Sequence, residues 1–231
     1  MRLPMKACVM LVFLESACST SGVLDPHGPV GGAERIILFD ATVIMLAVVV
    51  PVIIGTGLFA WWFRAGNRRA HRQLEWSYAG RIEFVVWAIP ALVVLFLGGI
   101  AWISSHDLDP KTRLPASAAP PIEIEVVSLD WKWLFIYPGF RVASLNRLVV
   151  PVGAPLHFRL TSAGVMNSFF VPQLGSQIYT MAGMATELNL QADDPGTFAG
   201  LSAQSSGDGF SDMRFEVAAV PPQAFGRWVE E

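Results

Sequence analysis

The chain has 231 residues, of which 53% are apolar and 15% charged, and its formal net charge is -3. This composition is too hydrophobic for an ordinary soluble domain, but the length suits a membrane anchor followed by one folded domain. The charge pattern does not match that of a nucleic-acid-binding domain, so nucleic acid is not expected as a partner. Both cysteines, Cys8 and Cys18, lie at the N-terminus, which excludes a disulfide framework or a thiolate metal site in the rest of the chain.

The first residues have the pattern of an export signal. A basic start and a short apolar stretch precede Cys18. Small residues before a cysteine are typical of a lipoprotein processing site, although Glu15 stands where such sites usually carry an aliphatic residue. The sequence predicts a signal over residues 1–18 and a periplasmic N-terminal segment over 19–35. Lipidation of Cys18, a poorly cleaved signal and a mis-assigned start all remain open.

Two uncharged, apolar runs follow, from Ala41 to Phe63 and from Phe84 to Ser105. Each exceeds the roughly 20 residues needed to cross a hydrocarbon core about 30 Å thick. Both are therefore predicted to be transmembrane helices, which places a helical hairpin at residues 36–105 with a loop at about 64–82.

The loop between the predicted spans is rich in arginine, whereas the chain after His106 is net acidic. By the positive-inside rule the loop lies in the cytoplasm, and the N-terminus and the C-terminal part lie on the outer side. Pro51 and Pro90 fall inside the spans, where a neighbouring helix can satisfy the carbonyls that they leave free. They indicate packing against a larger membrane protein.

After a linker at residues 106–121, the hydrophobic pattern changes to a period of two. Short alternating runs separated by turn residues predict an antiparallel sandwich or barrel over 122–231. The stretch from Gln223 to Val229 is predicted to form a short amphipathic helix. His157 lies on the polar face of a predicted strand, and we interpret it as a solvated residue rather than a metal ligand.

Four segments in the second half carry a family resemblance. They are Leu129 to Trp133, Met166 to Pro172, Leu174 to Tyr179 and Gly207 to Phe210. Together with the signal and the hairpin, they resemble subunit II of the cytochrome o ubiquinol oxidases, over about Leu24 to Val229. These belong to the copper-less branch of the heme-copper oxidase subunit II superfamily. The resemblance implies two transmembrane helices followed by a cupredoxin-like Greek-key β-sandwich.

The superfamily includes cytochrome c oxidases that hold a dinuclear copper centre in this domain. Their ligands are a histidine on one loop and a Cys-x3-Cys-x3-His-x2-Met pattern on another, since thiolates and other soft ligands suit a copper pair. The resemblance places the following residues at those positions: Asn167, Ser202, Ser206, Phe210 and Met213, with Gln204 where a glutamate usually ligates through its backbone. Protonated hydroxyls and one thioether are poor copper ligands, so we expect no copper here and interpret Met213 as a core residue.

The resemblance implies that this chain is the non-catalytic subunit II of a proton-translocating terminal quinol oxidase in the bacterial inner membrane. Because copper is not expected in the chain, membrane quinol rather than cytochrome c is the expected electron donor. Heme and copper are expected in subunit I, and smaller membrane subunits are further expected partners. An alternative is a free-standing, membrane-tethered cupredoxin-like module that binds a periplasmic partner, such as an assembly factor. Quinol oxidase relatives often continue into a further aromatic-rich segment, whereas this sequence stops at Glu231.

Four further residues receive individual interpretations. Glu83 lies near the cytoplasmic end of the second predicted span, and the family resemblance implies the mouth of a proton-uptake channel. An ordinary boundary residue stabilised by the helix N-terminus is an equally open interpretation. Trp131 and Trp133 are predicted to pack between the sandwich and the membrane subunit. Asp40 is predicted to be a boundary residue at the outer edge of the first span.

Overall fold

A computed structural model describes residues 22–71, 78–114 and 119–231. The predicted signal with Cys18, part of the predicted loop and part of the predicted linker lie outside these ranges. The chain divides into two compact units. One unit is Ile36–Asp109, and the other joins the segment up to Arg35 with Pro110–Glu231.

Two long helices dominate the first half of the described chain. Helix α1 is Pro29–Trp62, with 34 residues, and helix α2 is Gly80–Asp107, with 28 residues. Both are long and apolar enough to cross a membrane, by length and composition. The helices extend beyond the predicted hairpin at both ends. Pro29 is the first helical residue of α1, where the fixed backbone angle of proline suits a helix start.

Ten strands of the described chain form two sheets of five strands each. The strands are β1 Ile122–Leu129, β2 Lys132–Tyr137, β3 Val142–Leu145, β4 Arg147–Pro151, β5 Pro155–Ser162, β6 Asn167–Val171, β7 Gly175–Thr180, β8 Thr186–Gln191, β9 Gly196–Ser202 and β10 Arg214–Val220. One sheet has the order β3-β2-β1-β5-β8 and the other the order β4-β10-β9-β6-β7.

The sequence predicted antiparallel strands, and the structure corrects this at two places. Strand β1 pairs with β5 in parallel, and β4 pairs with β10 in parallel. Parallel neighbours need long connections, and here the chain passes through other strands before it returns. The predicted fold class, two apolar helices followed by a β-sandwich, is confirmed.

The core of the sandwich is built by the period-two alternation that the sequence shows. Phe169 of β6 stacks on Phe215 of β10, with ring centroids 5.0 Å apart. Trp133 of β2 meets the edge of Phe169 at 5.6 Å, an arrangement that aromatic quadrupoles favour. Gly200 lies directly under the Phe215 ring, where an added Cβ would come within 2.2 Å of ring carbons. The aromatic stack thus joins the two sheets.

The predicted C-terminal helix is present as α3, Pro222–Glu230. Its buried Phe225 and its Trp228 both contact the ring of Tyr137, with centroids 6.4 and 5.2 Å apart. The Tyr137 hydroxyl donates a hydrogen bond to the Val149 carbonyl at 2.9 Å and accepts one from the Val149 N–H at 3.0 Å. Helix α3 therefore closes one edge of the core over a fully satisfied tyrosine.

The segment that leads into α1 is docked on the sandwich. The Gly31 N–H donates to the Leu174 carbonyl at 3.0 Å, and the His27 N–H donates to the Gln173 carbonyl at 2.7 Å. The His27 carbonyl accepts a hydrogen bond from the Asp193 N–H at 2.8 Å. The predicted N-terminal segment therefore joins the β-sandwich before it continues as the first helix.

Candidate functional site

The residues that the family resemblance places at copper-ligand positions lie at one end of the sandwich. Asn167 opens β6, and Ser202 closes the antiparallel neighbour β9. The Ser202 hydroxyl donates to Oδ1 of Asn167 at 3.2 Å, and the Ser202 N–H donates to the Met213 carbonyl at 3.1 Å. All three residues are buried. The structure thus brings Asn167, Ser202 and Met213 together.

The remaining positions lie on the loop between β9 and β10. The carbonyl of Gln204 lies 3.3 Å from the Ser202 hydroxyl. Ser206 follows, and its Oγ is buried without a hydrogen-bond partner in the described part of the chain. Phe210 begins a 3-10 turn that is closed by the Met213 N–H on the Phe210 carbonyl at 3.1 Å. The loop is thus folded by its own backbone contacts.

The side chains at this end do not fit a dinuclear copper centre. Ser202 already shares its hydroxyl between Asn167 and the Gln204 carbonyl, and serine stays protonated at neutral pH. Phe210 offers no lone pair, and Met213 is only 1% exposed in the same cluster as Phe215. Within residues 22–71, 78–114 and 119–231, no group of three His, Cys, Asp or Glu side chains could hold a metal ion.

The two tryptophans of the predicted subunit contact have different environments. Trp133 is 0% exposed in the core, so its side chain cannot reach another subunit, and the predicted packing role is corrected to a core role. Trp131 is 41% exposed and lies in the β1–β2 turn with φ of 55°. Its indole covers Gly209, where an added Cβ would come within 2.3 Å of the ring, and it also contacts Gly207. Trp131 therefore covers the β9–β10 loop and leaves part of its ring open.

Glu83 lies far from this end along the chain, in the first turn of α2. Its side chain is exposed, and its N–H donates to the Ala79 carbonyl at 3.0 Å. A carboxylate in the first turn is favoured by the helix dipole. Among the described residues no ion pair joins Glu83 to Arg81. Asp40 is likewise an exposed residue, near the start of α1.

His157 is less solvated than its strand position predicted. Its ring nitrogen Nδ1 lies 2.9 Å from Oδ1 of Asn189 on the neighbouring strand, and the side chain is half-buried. The amide of Asn189 in turn donates to the Pro110 carbonyl at 2.9 Å. His157 is therefore a half-buried structural residue rather than a solvated one, and its partner Asn189 contacts the backbone at Pro110.

Sequence reasoning missed the contacts around His27. Its ring nitrogens lie 3.4 Å from a carboxylate oxygen of Asp25 and 3.1 Å from one of Asp194, and the ring packs on Phe198 at 5.1 Å. An added Cβ on Gly28 would lie 2.2 Å from the Gln191 carbonyl oxygen. Gly28 and Gly31 were the only sequence signal for this docking, because a close approach of two backbone segments often needs glycine.

Known proteins share both the sequence and the fold of this chain. Residues 139–220 match the family described as "Cytochrome C oxidase subunit II, periplasmic domain". "Ubiquinol oxidase subunit 2" of Acetobacter aceti is 49% identical over 90% of this chain and 68% of its own length. "Cytochrome bo(3) ubiquinol oxidase subunit 2" of Pseudomonas aeruginosa is 50% identical over 90% of this chain and 62% of its own length.

A likeness of fold is also found among solved structures. A chain from the cryo-EM structure of a heme-copper terminal oxidase dimer aligns with a TM-score of 0.50 at 12% identity. The alignment covers 61% of this chain and 100% of the other. At this identity the likeness concerns the fold alone.

Proposed function

This chain belongs to the ubiquinol oxidase subunit 2 family, and from that premise we propose that it is subunit II of a proton-translocating terminal quinol oxidase. The observation that carries the proposal is the end of the sandwich, where Ser202 hydrogen-bonds to Asn167 and to the Met213 carbonyl, three residues that the family resemblance places at copper-ligand positions. We propose that this subunit is non-catalytic and supports a heme-bearing subunit I.

The route of the electrons follows from the side chains at that end. Two serine hydroxyls, an asparagine and a phenylalanine stand at positions where a copper pair needs thiolates and imidazoles. A cytochrome c donor would have no acceptor centre in such a domain. We therefore propose that a membrane quinol donates its electrons directly to the hemes of subunit I, and that this chain contributes contacts and shape rather than redox chemistry.

The charge distribution supports one orientation in the membrane. The described part of the segment after α1 carries Arg64, Arg68 and Arg69, and the positive-inside rule places such a segment in the cytoplasm. The β-sandwich then lies in the periplasm of a bacterium, anchored to the inner membrane by α1 and α2. Lipidation of Cys18 is proposed as a further anchor on the same side.

Purification of the intact complex through an affinity tag on this chain tests the proposal. We expect a heme-bearing membrane subunit to co-purify, and we expect oxygen consumption with ubiquinol but not with reduced cytochrome c. A chain that purifies without heme and without oxidase activity would favour the alternative of a free-standing tethered module. Cytochrome c oxidation by the complex would overturn the proposed donor.

Glu83 is proposed to mark the entrance of a proton-uptake channel. Its exposed carboxylate in the first turn of α2 lies at the cytoplasmic end in the proposed orientation. We expect Glu83→Gln to lower quinol oxidase turnover and proton uptake, because an amide cannot carry the proton. Asp40→Asn is the matched control, since Asp40 lies near the other end of the hairpin. Equal turnover and equal proton uptake in the two variants would leave Glu83 a boundary residue.

A further inference from the structure

The end of α1 continues into a compact basic turn, which we define as Trp61–Arg69. The Asn67 side-chain amide donates to the Trp62 carbonyl at 2.6 Å, and an Arg64 guanidinium nitrogen donates to the Trp61 carbonyl at 3.2 Å. The last carbonyls of a helix have no partner within the helix, so these side chains cap α1. The Arg69 N–H donates to Oδ1 of Asn67 at 3.1 Å, which fixes the turn from the other side.

Residues of the basic turn line an open hollow of about 480 Å³. Arg64 lies over the Trp61 ring, with its guanidinium carbon 5.2 Å from the ring centroid. Gly66 also belongs to the lining, and an added Cβ there would meet nothing within 4 Å. Arg68 and Arg69 complete the lining of the hollow. Two tryptophans and three arginines therefore line one concave surface.

The positive charge of this hollow is not neutralised by the described part of the protein. Within residues 22–71, 78–114 and 119–231, the ion pairs of the structure involve other side chains than Arg64, Arg68 and Arg69. Arg64 is held by the carbonyl end of α1, which attracts a cation. Arg68 and Arg69 are exposed, so their charges face outward.

The position of the basic turn, at the end of an apolar helix, indicates which ligand it would bind. Trp61 and Trp62 end an apolar helix of 34 residues, and tryptophan at such an end lies at the level of the lipid headgroups. A guanidinium group presents paired donors that match a phosphate group. Basic clusters directly beside the cytoplasmic end of a transmembrane helix attract anionic lipids. We propose that the basic turn binds the headgroup phosphate of an anionic phospholipid, with the tryptophans against its glycerol backbone.

The proposal concerns α1 and the turn, and it is independent of the electron donor of the complex. The test uses the full chain in its purified complex, or alone in detergent if it purifies alone, with fluorescent short-chain phosphatidylglycerol as the probe. We compare the wild type with a variant carrying Arg68→Gln and Arg69→Gln. The matched control carries Arg159→Gln and Arg214→Gln, which remove two exposed arginines of the sandwich.

We expect the turn variant to bind phosphatidylglycerol roughly thirtyfold more weakly, from about 1 kcal/mol for each arginine near the surface. The control should bind like the wild type, and labelled phosphatidylcholine should bind weakly to all three. Equal binding by the turn variant and the wild type would overturn the proposal. So would equal affinity for phosphatidylcholine, or full competition by inorganic phosphate at the concentration of the lipid. Loss of a partner subunit with unchanged lipid binding would identify the turn as a protein contact instead.

Discussion

A side-chain hydrogen bond of 3.2 Å joins Asn167 and Ser202, which the family resemblance places at a histidine and a cysteine ligand position of copper-bearing relatives. Asn167 also donates to the Val165 carbonyl at 3.3 Å, so both of its polar atoms have partners in the protein. Buried polar groups are costly only when they lack such partners. Hydrogen bonds within the protein therefore hold Asn167 and Ser202 together at this end of the sandwich.

The positive φ of Trp131 gives Trp131 and Trp133 different environments, although they are only two residues apart. Residues two apart in a regular strand point to the same side. Trp131, however, precedes β2 in a left-handed turn, so its ring covers Gly209 while Trp133 enters the core. The proposed contact with a membrane subunit is therefore left to Trp131.

Replacement of Trp131 tests this contact. We expect Trp131→Ala to lower the amount of the heme-bearing subunit that co-purifies with this chain, because a central aromatic contributes about 2 kcal/mol or more to an interface. Leu145→Ala is the control, since Leu145 is an exposed apolar residue of β3. Yields would be measured as heme per tagged chain at rising detergent concentration. Equal yields for the two variants would contradict the contact.

Tyr137 provides a prediction about pH. Burial raises the pKa of its hydroxyl well above its ordinary value, and the hydrogen bond with Val149 offsets only part of that rise. The unfolded chain ionises this group above pH ~10, whereas the folded chain keeps it protonated. The free energy of unfolding therefore falls as the pH rises above about 10, and this contribution is fully present below that pH.

We expect Tyr137→Phe to lose about 1–2 kcal/mol at neutral pH through its missing hydrogen bonds, and to decline less steeply than the wild type above pH ~10. The measurement is denaturant unfolding in detergent, followed by tryptophan fluorescence at neutral and alkaline pH. Tyr179→Phe serves as the control, because Tyr179 is exposed. Parallel pH profiles for the wild type and Tyr137→Phe would disprove the role of burial.

Among the elements, α1 is unusual in beginning inside the β-sandwich unit and continuing as an apolar helix of the other unit. Its start is held by close backbone contacts at Gly28, Gly31 and Gly175, where an added Cβ would meet backbone atoms at 2.2, 3.1 and 2.7 Å. Such contacts cannot form around larger residues without a shift of the chain. The first residues of α1, up to Arg35, therefore belong to the sandwich unit by packing.

Gly28 and Gly32 form a matched pair for testing this docking. We expect Gly28→Ala to loosen the segment, because its Cβ would lie 2.2 Å from the Gln191 carbonyl oxygen. Gly32→Ala should leave it docked, since an added Cβ there meets nothing within 4 Å. Hydrogen exchange at the Gly31 and Asp193 amides reports the result, with faster exchange of about tenfold or more expected for Gly28→Ala alone, which corresponds to at least ~1.4 kcal/mol. Equal exchange in both variants would refute the close-packing argument.

On the scale of the whole molecule, the residues at the expected ligand positions predict whether the purified chain binds copper. We expect the full-length chain, produced by itself in copper-supplemented medium and purified in detergent, to hold no stoichiometric copper. The reason is the donor set at Asn167, Ser202 and Met213, which lacks thiolates. Metal analysis and the visible spectrum check the expectation. Copper at two atoms per chain with thiolate-to-copper absorption would contradict it.

The features that the sequence predicted well depend on neighbouring residues. The two apolar helices follow from uninterrupted runs of apolar residues, whose length and composition suit a membrane span. The alternation in β1, β5 and β10 likewise fixed which side of each strand faces the core. The absence of copper stays a prediction, which depends on residue identity at the positions that the family resemblance aligns with copper ligands.

The features that the sequence did not predict depend on contacts between distant parts of the chain. The parallel pairing of β1 with β5, and the docking of His27 against Asp194 and Phe198, join segments far apart in sequence. The separate environments of Trp131 and Trp133 follow from a positive φ in a turn, which a period-two pattern does not encode. By itself the sequence determined the two apolar helices and the strands. The tertiary structure decided which residues meet Asn167 and Ser202 and how the segment before α1 is held on the sandwich, because both require long-range packing.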